Sequence, residues 1–152
     1  MSEIITVGWR EWFSFPDLGI ESIKGKVDTG ARTSALHAFE VESYQDNGLA
    51  KVRFLLHPLQ KDNNTVKECT ADILEQRWVT DSGGHREKRY VIKTLVKMGE
   101  IAWPIELTLT NRDTMKFRML LGRTAMKNII VDPTSSYLFG KHLKKKSNIK
   151  ES

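Results

Sequence analysis

The sequence predicts a mainly β protein that folds as a small closed or half-closed barrel with little helix. Runs of apolar and β-branched residues recur about every ten positions, with turn signals between them. Two segments, Gln45-Asp46-Asn47-Gly48 and Lys97-Met98-Gly99-Glu100, separate pairs of such runs and predict hairpins, since Asn and Gly readily adopt positive φ. A chain of 152 residues that is 39% apolar suits one domain with a sizeable core.

The predicted elements follow in chain order. Strands are expected at residues 4–7, 20–27, 35–44, 49–56, 66–79, 89–96, 101–109, 117–121 and 129–131. One short helix is expected at residues 124–127, directly after Gly122-Arg123. Because no linker or internal repeat interrupts this pattern, we expect one domain over residues 3–140 and a flexible basic tail over residues 141–152.

The basic character of the chain belongs to this tail. The formal net charge of the chain is +5, and residues 141–152 hold five lysines and one glutamate, so the remainder is close to neutral. We expect the tail to be a solvated terminus rather than an arm that binds nucleic acid or an acidic partner. The four tryptophans lie apart from the tail in the sequence and are expected in the core and rim of the barrel, which argues against a nucleic-acid groove.

Composition also limits the location of the protein. No apolar run approaches the roughly 20 residues of a membrane helix, and the acidic N-terminus does not have the features of a secretory signal. Cys69 is the one cysteine, which excludes an internal disulfide and fits a reducing cytoplasm. We therefore expect a cytoplasmic protein with no membrane contact.

Several other kinds of site leave no signature in the sequence. The chain contains no His-Glu-x-x-His or Cys-x-x-Cys, so we expect no metal and no cofactor, although His37 and His57 are expected near one another across the first hairpin. The phosphate-binding loop Gly-x-x-x-x-Gly-Lys-(Ser/Thr) and the nucleophile motif Gly-x-Ser-x-Gly are also missing. Cys69 is expected to be buried or inert.

The strongest chemical signal is the segment Asp28-Thr29-Gly30-Ala31, which follows an apolar strand. The strand would deliver the Asp28 carboxylate to the barrel interior. Gly30 would let backbone amides approach that carboxylate, and the Thr29 hydroxyl would bond across to a neighbouring strand. Because Asp-x-Gly turns are common, this motif needs the support of a second segment.

That support is Leu120-Leu121-Gly122-Arg123, an apolar strand that runs into Gly-Arg and then a short helix. Together the two segments resemble the two halves of a retropepsin-type aspartic peptidase lobe, in which they interlock beneath the active site. The resemblance implies a small retropepsin-like (acid protease) β-barrel with one short helix after Gly122-Arg123.

Further motifs resemble one bacterial family, the RimB-type retropepsin-like peptidases, often labelled ATP-dependent zinc proteases and encoded beside RimK-type glutamate ligases. The similar segments are residues 8–12, 27–38, 81–86 and 106–113, and the resemblance covers about residues 4–140. It implies a hydrolase that acts on peptide bonds in ribosomal-protein modification. The implied substrate is a glutamate-rich peptide or protein tail, and the implied partner is a RimK-type ligase.

The resemblance also implies catalytic roles. Asp28 would activate water, and Thr29 and Gly30 would hold the geometry of a pair of carboxylates. Two carboxylates a few ångströms apart share one proton, since like charges so close do not both ionise. As the chain has one convincing motif, a symmetric homodimer would supply the second carboxylate, Asp28 of the partner subunit.

A second Asp-(Ser/Thr)-Gly pattern occurs at Asp81-Ser82-Gly83. It follows Asp28 by 53 residues, which is short for a complete second lobe. We interpret residues 80–86 instead as the tip of a hairpin, where the resemblance puts a flap that closes over an extended substrate. The candidate substrate-binding residues of this tip are Gly83, Gly84, His85 and Arg86.

Two arginines are candidates for recognising an acidic substrate. Arg32 follows Ala31 at a position where viral retropepsins usually have an acid, and Arg123 belongs to the Gly-Arg motif. Both would favour ionised carboxylates nearby, and Ala31 would line the same site. A structural role is the other interpretation, in which these arginines pair with Glu106, Asp113 or Asp132. Side chains that would extend a substrate site are Arg86, Lys88 and Arg112.

Two functions from different classes remain open at this point. The first is an aspartic endopeptidase-like hydrolase, active as a homodimer on glutamate-extended tails. The second is a non-enzymatic retropepsin-like module that binds or regulates a glutamate ligase or its product. A zinc metallopeptidase is a third and disfavoured reading, because the metal-binding motifs are missing.

Overall fold

The computed structural model describes residues 3–58, 64–81, 83–111 and 116–141. Within these ranges the chain forms twelve strands and two one-turn 3-10 helices, Pro16–Leu18 and Arg123–Ala125. The mainly β fold predicted from the sequence is therefore confirmed. The short helix expected after Gly122 is the turn Arg123–Ala125, whereas the turn at Pro16–Leu18 was not predicted.

The strands β1 to β12 include every run that the sequence predicted as extended. In chain order they are Ile5–Gly8, Arg10–Phe15, Ile20–Val27, Ser34–His37, Phe39–Asp46, Leu49–Leu56, Lys67–Asp72, Glu75–Thr80, Arg86–Met98, Ile101–Thr110, Met119–Leu121 and Ile129–Asp132. Two expected strands are divided, since residues 35–44 fall on β4 and β5 and residues 66–79 on β7 and β8. β2 was missed, because its buried Glu11 and Ser14 break the apolar alternation.

Six strands close into a barrel. Their hydrogen-bonded order is β10-β4-β11-β3-β2-β9, and β9 pairs back with β10. β8 extends this sheet beyond β9, so that β8 and β9 form a hairpin at the barrel edge. Strands β5, β6 and β7 make a separate three-stranded sheet, and β1 pairs with β12 in parallel.

The barrel interior is filled by apolar side chains. The largest buried ones include Phe13, Ile23, Leu36 and Met119. A Cβ added at Gly25 would lie 2.5 Å from Met119 Sδ and 2.7 Å from the Phe13 ring, so a larger residue there would have to displace these core side chains. Since strand residues alternate between the two faces of a sheet, their neighbours along β3, β4 and β11 lie on the outer face of the barrel, where Ala35 and His37 are themselves buried.

The C-terminal segment packs against β2, and the first residue of the predicted basic tail takes part in this contact. The amide of Tyr137 donates to Arg10 O at 2.9 Å, and Lys141 Nζ lies 4.4 Å from the centre of the Trp12 ring. The first residue of the basic tail therefore meets Trp12 in space, although the two are far apart in the sequence. Trp78 is 54% exposed on the β8–β9 hairpin, at the edge of the barrel. Residues 142–152 of the predicted tail lie outside the described residues.

No helix in the described ranges is long and apolar enough to cross a membrane.

Candidate active site

Asp28 lies in a cleft of about 610 Å³ between its own loop and the β8–β9 hairpin. The loop contributes Ala31 and Arg32 to the cleft wall, and the hairpin contributes Val79 and Asp81. The prediction that β3 delivers Asp28 to the barrel interior is wrong, because Val27 occupies the inward-facing position and the next residue turns to the outside. Asp28 is consequently half-buried and open to the cleft.

The two segments that carried the resemblance interlock. Leu121 on β11 is the parallel partner of Val27 on β3, and the amide of Asp28 donates to Leu121 O at 2.9 Å. Immediately beyond β11, the amide of Arg123 donates to Ala31 O at 2.7 Å. The loop that carries Asp28 is thus fixed from both sides by main-chain bonds to the Gly-Arg segment.

The local environment of the carboxylate fits part of the sequence prediction. The amide of Gly30 donates to Asp28 Oδ1 at 2.9 Å, and a Cβ added at Gly30 would lie 3.2 Å from that oxygen. Thr29 is exposed and contributes its carbonyl oxygen, which accepts a 3.1 Å bond from Arg123 Nη1. In the described part of the chain its hydroxyl makes no bond across the sheet, contrary to expectation.

Arg32 and Arg123 both line the Asp28 cleft and are exposed. Two of the carboxylates proposed as their structural partners are engaged elsewhere. Glu106 Oε1 pairs with Arg77 Nη2 at 2.9 Å, and Asp132 accepts from Thr134 and Ser135. The third, Asp113, lies outside the described residues. Across residues 3–58, 64–81, 83–111 and 116–141, neither cleft arginine forms an ion pair with a carboxylate.

The interpretation of residues 80–86 as a hairpin tip agrees with the structure. Thr80 on β8 pairs with Arg86 on β9, and the chain turns between them. Asp81 Oδ1 accepts from the amides of Gly83 at 3.0 Å and His85 at 2.8 Å. Its carboxylate therefore shapes the turn, although Asp81 also lines the same cleft as Asp28.

The predicted tip residues are only partly brought to the cleft. Gly83, Gly84 and His85 are exposed, and His85 lines a smaller groove of about 320 Å³ that shares Asp81 and Arg89 with the Asp28 cleft. Arg86 lies over the Trp78 ring at 4.5 Å and is not among the residues that line the cleft. Lys88 is also beside Trp78, at 6.0 Å, and Arg112 falls outside the described residues.

Arg89 is a charged residue of the cleft that the sequence interpretation missed. It is 8% exposed, and its Nε donates to Glu87 Oε2 at 2.5 Å while its Nη1 donates to Thr108 Oγ1 at 3.2 Å. Thr108 Oγ1 in turn donates to Ser34 O at 3.0 Å, and Thr110 Oγ1 donates to Glu87 Oε2 at 2.6 Å. This network fixes the base of the hairpin to β10 and β4.

A signal for Arg89 was present in the period-two pattern of β9. Arg89 shares its strand face with Val91, which is buried, and an arginine on a buried face needs hydrogen-bonding partners. The partners lie on another strand, so the register of β9 with β10 was needed to find them.

The described residues do not fit a zinc site. No group of three or more His, Cys, Asp and Glu side chains that could hold a metal occurs within the described ranges. His37 and His57 do lie near one another, with ring centres 6.4 Å apart. Burial raises the pKa of the Cys69 thiol to about 11, and its Sγ donates to Leu18 O at 3.4 Å. The expectation of a buried cysteine is therefore confirmed.

A closed six-stranded barrel whose Asp-Thr-Gly loop interlocks with a Gly-Arg segment is the architecture of the retropepsin-like class. Residues 6–142 match the RimB-like family, whose description reads "Retropepsin-like aspartic endopeptidase RimB". The chain therefore belongs to the RimB-like family, and the family resemblance drawn from the sequence motifs is confirmed.

Several relatives of this chain are longer proteins that are named as glutamate ligases. The chain is 45% identical over 135 residues to a "Probable alpha-L-glutamate ligase" of Shewanella pealeana, covering 88% of this chain and 30% of that protein. It is 48% identical over 141 residues to a protein of the same name from Parasynechococcus marenigrum, covering 92% of this chain and 30% of the relative. The chain thus spans less than a third of the length of these relatives.

A solved structure supports the fold. The crystal structure of Lpg0085, a Legionella pneumophila protein of unknown function, superposes with a TM-score of 0.74. The match covers 89% of this chain and 98% of the other at 24% identity, so it is evidence for the shared fold alone.

Proposed function

We propose that the protein is an aspartic endopeptidase-like hydrolase, active as a homodimer with one Asp28 per chain, that cleaves glutamate-rich peptide or protein tails. The observation that carries the proposal is the position of Asp28 in an open cleft beside Arg32 and Arg123. The family description supports hydrolysis of a peptide bond.

The chemistry needs two carboxylates and one water. One Asp28 carboxylate takes a proton from the water as the water oxygen attacks the scissile carbonyl carbon. The other carboxyl group, which is protonated, gives its proton to the carbonyl oxygen and so stabilises the tetrahedral intermediate. When the intermediate collapses, the first carboxyl group gives the proton that it took from water to the amide nitrogen, and the C–N bond breaks. One hydroxyl of the intermediate returns its proton to the second carboxylate, which leaves a carboxylic acid, an amine and a pair that again holds one proton.

Asp28 of the partner subunit is the proposed second carboxylate. Asp81 shares the cleft within the chain, but its Oδ1 already accepts two hairpin amides. Asp28 Oδ1 accepts one amide, from Gly30, so Asp81 is the more heavily engaged of the two carboxylates and the less suited to exchange a proton with water in every cycle. The two-fold axis of a homodimer would bring two equivalent Asp28 loops together instead.

The two cleft arginines support an acidic substrate. Their guanidinium groups are exposed beside Asp28, and neither forms an ion pair within the described ranges. Arginine binds carboxylates with good geometry, often through two parallel hydrogen bonds. The name of the relatives, glutamate ligase, supports glutamate as the acidic residue and a RimK-type ligase as the partner.

The test is mass spectrometry of peptides that end in a run of glutamates, incubated between about pH 4 and pH 8, the range in which a carboxylate pair titrates. Wild-type protein is expected to shorten them and Asp28→Asn to leave them intact. Asp17→Asn, an exposed aspartate outside the cleft, is the matched control and is expected to remain active. Intact peptides at every pH with folded, dimeric wild-type protein would contradict the proposal.

Mixing experiments test the shared site. If each active site takes one Asp28 from each chain, excess Asp28→Asn protein will draw wild-type subunits into inactive mixed dimers and lower their activity. Sedimentation velocity on the same mixtures measures the dimer directly. Activity that is independent of added Asp28→Asn protein would mean that a single chain is sufficient.

A second candidate function is a non-enzymatic module that binds or regulates a glutamate ligase or its product. The match of this chain to one part of longer proteins named glutamate ligases favours it. In that case Asp28→Asn would retain binding to the ligase or to its glutamate-extended product and would leave every phenotype intact. Activity lost to a chelator and restored by zinc would favour a metallopeptidase instead.

A further inference from the structure

A row of four aligned residues leads from the Asp28 cleft across the outer face of the barrel. The strand registers align Ala35 with Leu120, Leu120 with Lys26, and Lys26 with Arg10. Ala35 and Leu120 line the Asp28 cleft, and Leu120 and Lys26 line the next groove, of about 310 Å³. Because neighbouring strands lie about 4.8 Å apart, the row runs for on the order of 14 Å.

Basic and aromatic side chains surround the far end of this row. The Arg10 guanidinium lies 4.5 Å from the Trp9 ring centre, and Lys24 Nζ lies 5.3 Å from that of Trp12. Lys141 Nζ lies 4.4 Å from the same Trp12 ring. Lys26 and Lys116 line the intervening groove. We call this set the cationic strip; its five members are Arg10, Lys24, Lys26, Lys116 and Lys141.

The charge of the strip is not neutralised within the described ranges. None of its five members forms an ion pair with a carboxylate there. Elsewhere in the described ranges Lys51, Arg53 and Arg77 each pair with an acidic side chain, whereas the cleft residues Arg32 and Arg123 are unpaired like the strip. The aromatic rings hold three of the strip cations in place, which lowers the entropy cost of binding an anion.

We propose that the cationic strip is an exosite that holds the distal carboxylates of an extended acidic peptide while its scissile bond lies at Asp28. The inference rests on the proposed function and adds a second binding region to it. An extended peptide rises about 3.3 Å per residue, so about four residues pass from Ala35 to Arg10. The rings are already covered by cations, which favours carboxylates over stacked nucleic-acid bases as the ligand.

The test measures binding without turnover. Fluorescence anisotropy of labelled oligo-L-glutamates, of two and of about eight residues, gives their Kd for Asp28→Asn protein and for the same protein carrying Lys24→Ala and Lys26→Ala. The two strip substitutions are expected to weaken binding of the long peptide about tenfold, equal to about 1.4 kcal/mol, and to leave the short peptide within about twofold. The weakening is expected to diminish at high salt.

Two controls separate the strip from general charge. Lys67→Ala with Lys127→Ala removes the same charge from exposed lysines outside the strip and is expected to change neither Kd by more than about twofold. Lys24→Arg with Lys26→Arg keeps the charge and is expected to retain tight binding. Equal losses in strip and control variants, or an unchanged Kd for the long peptide, would overturn the exosite.

Failure of the exosite and failure of the peptidase give different results. Strip-dependent binding by a protein that cleaves nothing supports the exosite and counts against the peptidase. If both the wild type and the Lys24→Ala, Lys26→Ala variant cleave the peptides, and KM depends on peptide length in the same way in both, the peptidase is supported and the exosite is overturned. Single-stranded RNA that binds the strip more tightly than oligo-glutamate of equal charge would overturn the acidic-peptide ligand.

Discussion

Arg123 donates its main-chain amide to Ala31 O at 2.7 Å, while its side-chain Nη1 donates to Thr29 O at 3.1 Å. One residue therefore fixes the Asp28 loop through its backbone and through its guanidinium. The backbone bond persists in any substitution except proline, whereas the side-chain bond does not. Substitution of Arg123 therefore removes the charge and the side-chain bond to Thr29 O while the main-chain bond still holds the Asp28 loop.

Replacing the two cleft arginines separately is expected to have different effects on stability. Arg123→Gln loses the exposed bond to Thr29 O and should cost about 0.5–1.5 kcal/mol of unfolding free energy. Arg32→Gln loses no bond seen in the described ranges and should leave stability unchanged within about 0.5 kcal/mol. Urea unfolding measures both, and equal destabilisation of the two variants would contradict the assigned contacts.

Gly122 is expected to tolerate no side chain. A Cβ added there would lie 2.5 Å from the carbonyl carbon and oxygen of Thr33, which are backbone atoms in the Asp28 loop. Gly122→Ala should therefore lower the free energy of unfolding by about 1–3 kcal/mol. Gly83→Ala is the control, since its Cβ would meet nothing nearer than Asp81 Oδ1 at 3.5 Å. Matching urea midpoints for the two variants would show that the loops adjust without cost.

The strands were predictable because their determinants are local. Both hairpin turns bend where the sequence indicated, with positive φ at Asn47, Gly48 and Gly99. β2 was not predictable in the same way. Its Glu11 is fully buried and accepts the amides of Gly8 at 2.7 Å and Leu138 at 2.9 Å. The second of these contacts joins distant parts of the chain, so a local hydrophobic pattern contains no sign of it.

In the candidate site, too, the residues set by local sequence were predictable and those set by contacts between distant strands were not. Asp28 and Gly30 were found from a short motif whose geometry is set by neighbouring residues. Arg89 was missed because its partner Thr108 lies on another strand and is reached only through the register of the barrel. The closeness of Lys141 to Trp12 was missed because it depends on where the C-terminal segment returns.

Removing Arg89 is expected to loosen the base of the β8–β9 hairpin. Arg89→Met loses the bonds to Glu87 and Thr108 from a site that is 8% exposed. It should therefore lower the free energy of unfolding by about 2–3 kcal/mol and speed hydrogen exchange of the β8 amides. Arg77→Met is the matched control, because Arg77 pairs with Glu75 and Glu106 nearer the surface and should cost at most about 1 kcal/mol. The opposite order of urea midpoints would refute the role of the network.

Acid is expected to weaken the segment after β12 through Asp132. Hydrogen bonds from the Thr134 amide, the Ser135 hydroxyl and the Thr134 hydroxyl lower the pKa of Asp132 below its ordinary value. The folded state therefore binds fewer protons than the unfolded state near that value, and this stabilisation is present above it and lost as the pH falls through the folded pKa.

Thermal unfolding measured from pH 7 down to about pH 3 tests this effect of Asp132. Asp132→Asn should show a smaller loss of Tm on acidification than the wild type, since it has no carboxylate to protonate. Asp17→Asn is the control, because Asp17 is exposed and accepts no hydrogen bond in the described ranges. An acid slope in Asp132→Asn identical to that of the wild type would rule out the contribution.

Cys69 is expected to be inert in the folded protein and to weaken it in alkali. Burial raises the pKa of its thiol from 9.0 to about 11, so the unfolded chain loses this proton at lower pH than the folded one, and stability falls as the pH rises between those values. Cys69→Ala should have a shallower loss of unfolding free energy above pH 9 than the wild type.

A disulfide reagent at about pH 8 should label the native protein slowly and the urea-unfolded protein quickly. The signal is unambiguous because the chain has one cysteine. Rapid labelling of the native protein would mean that the sulfur is accessible and that burial does not control its chemistry.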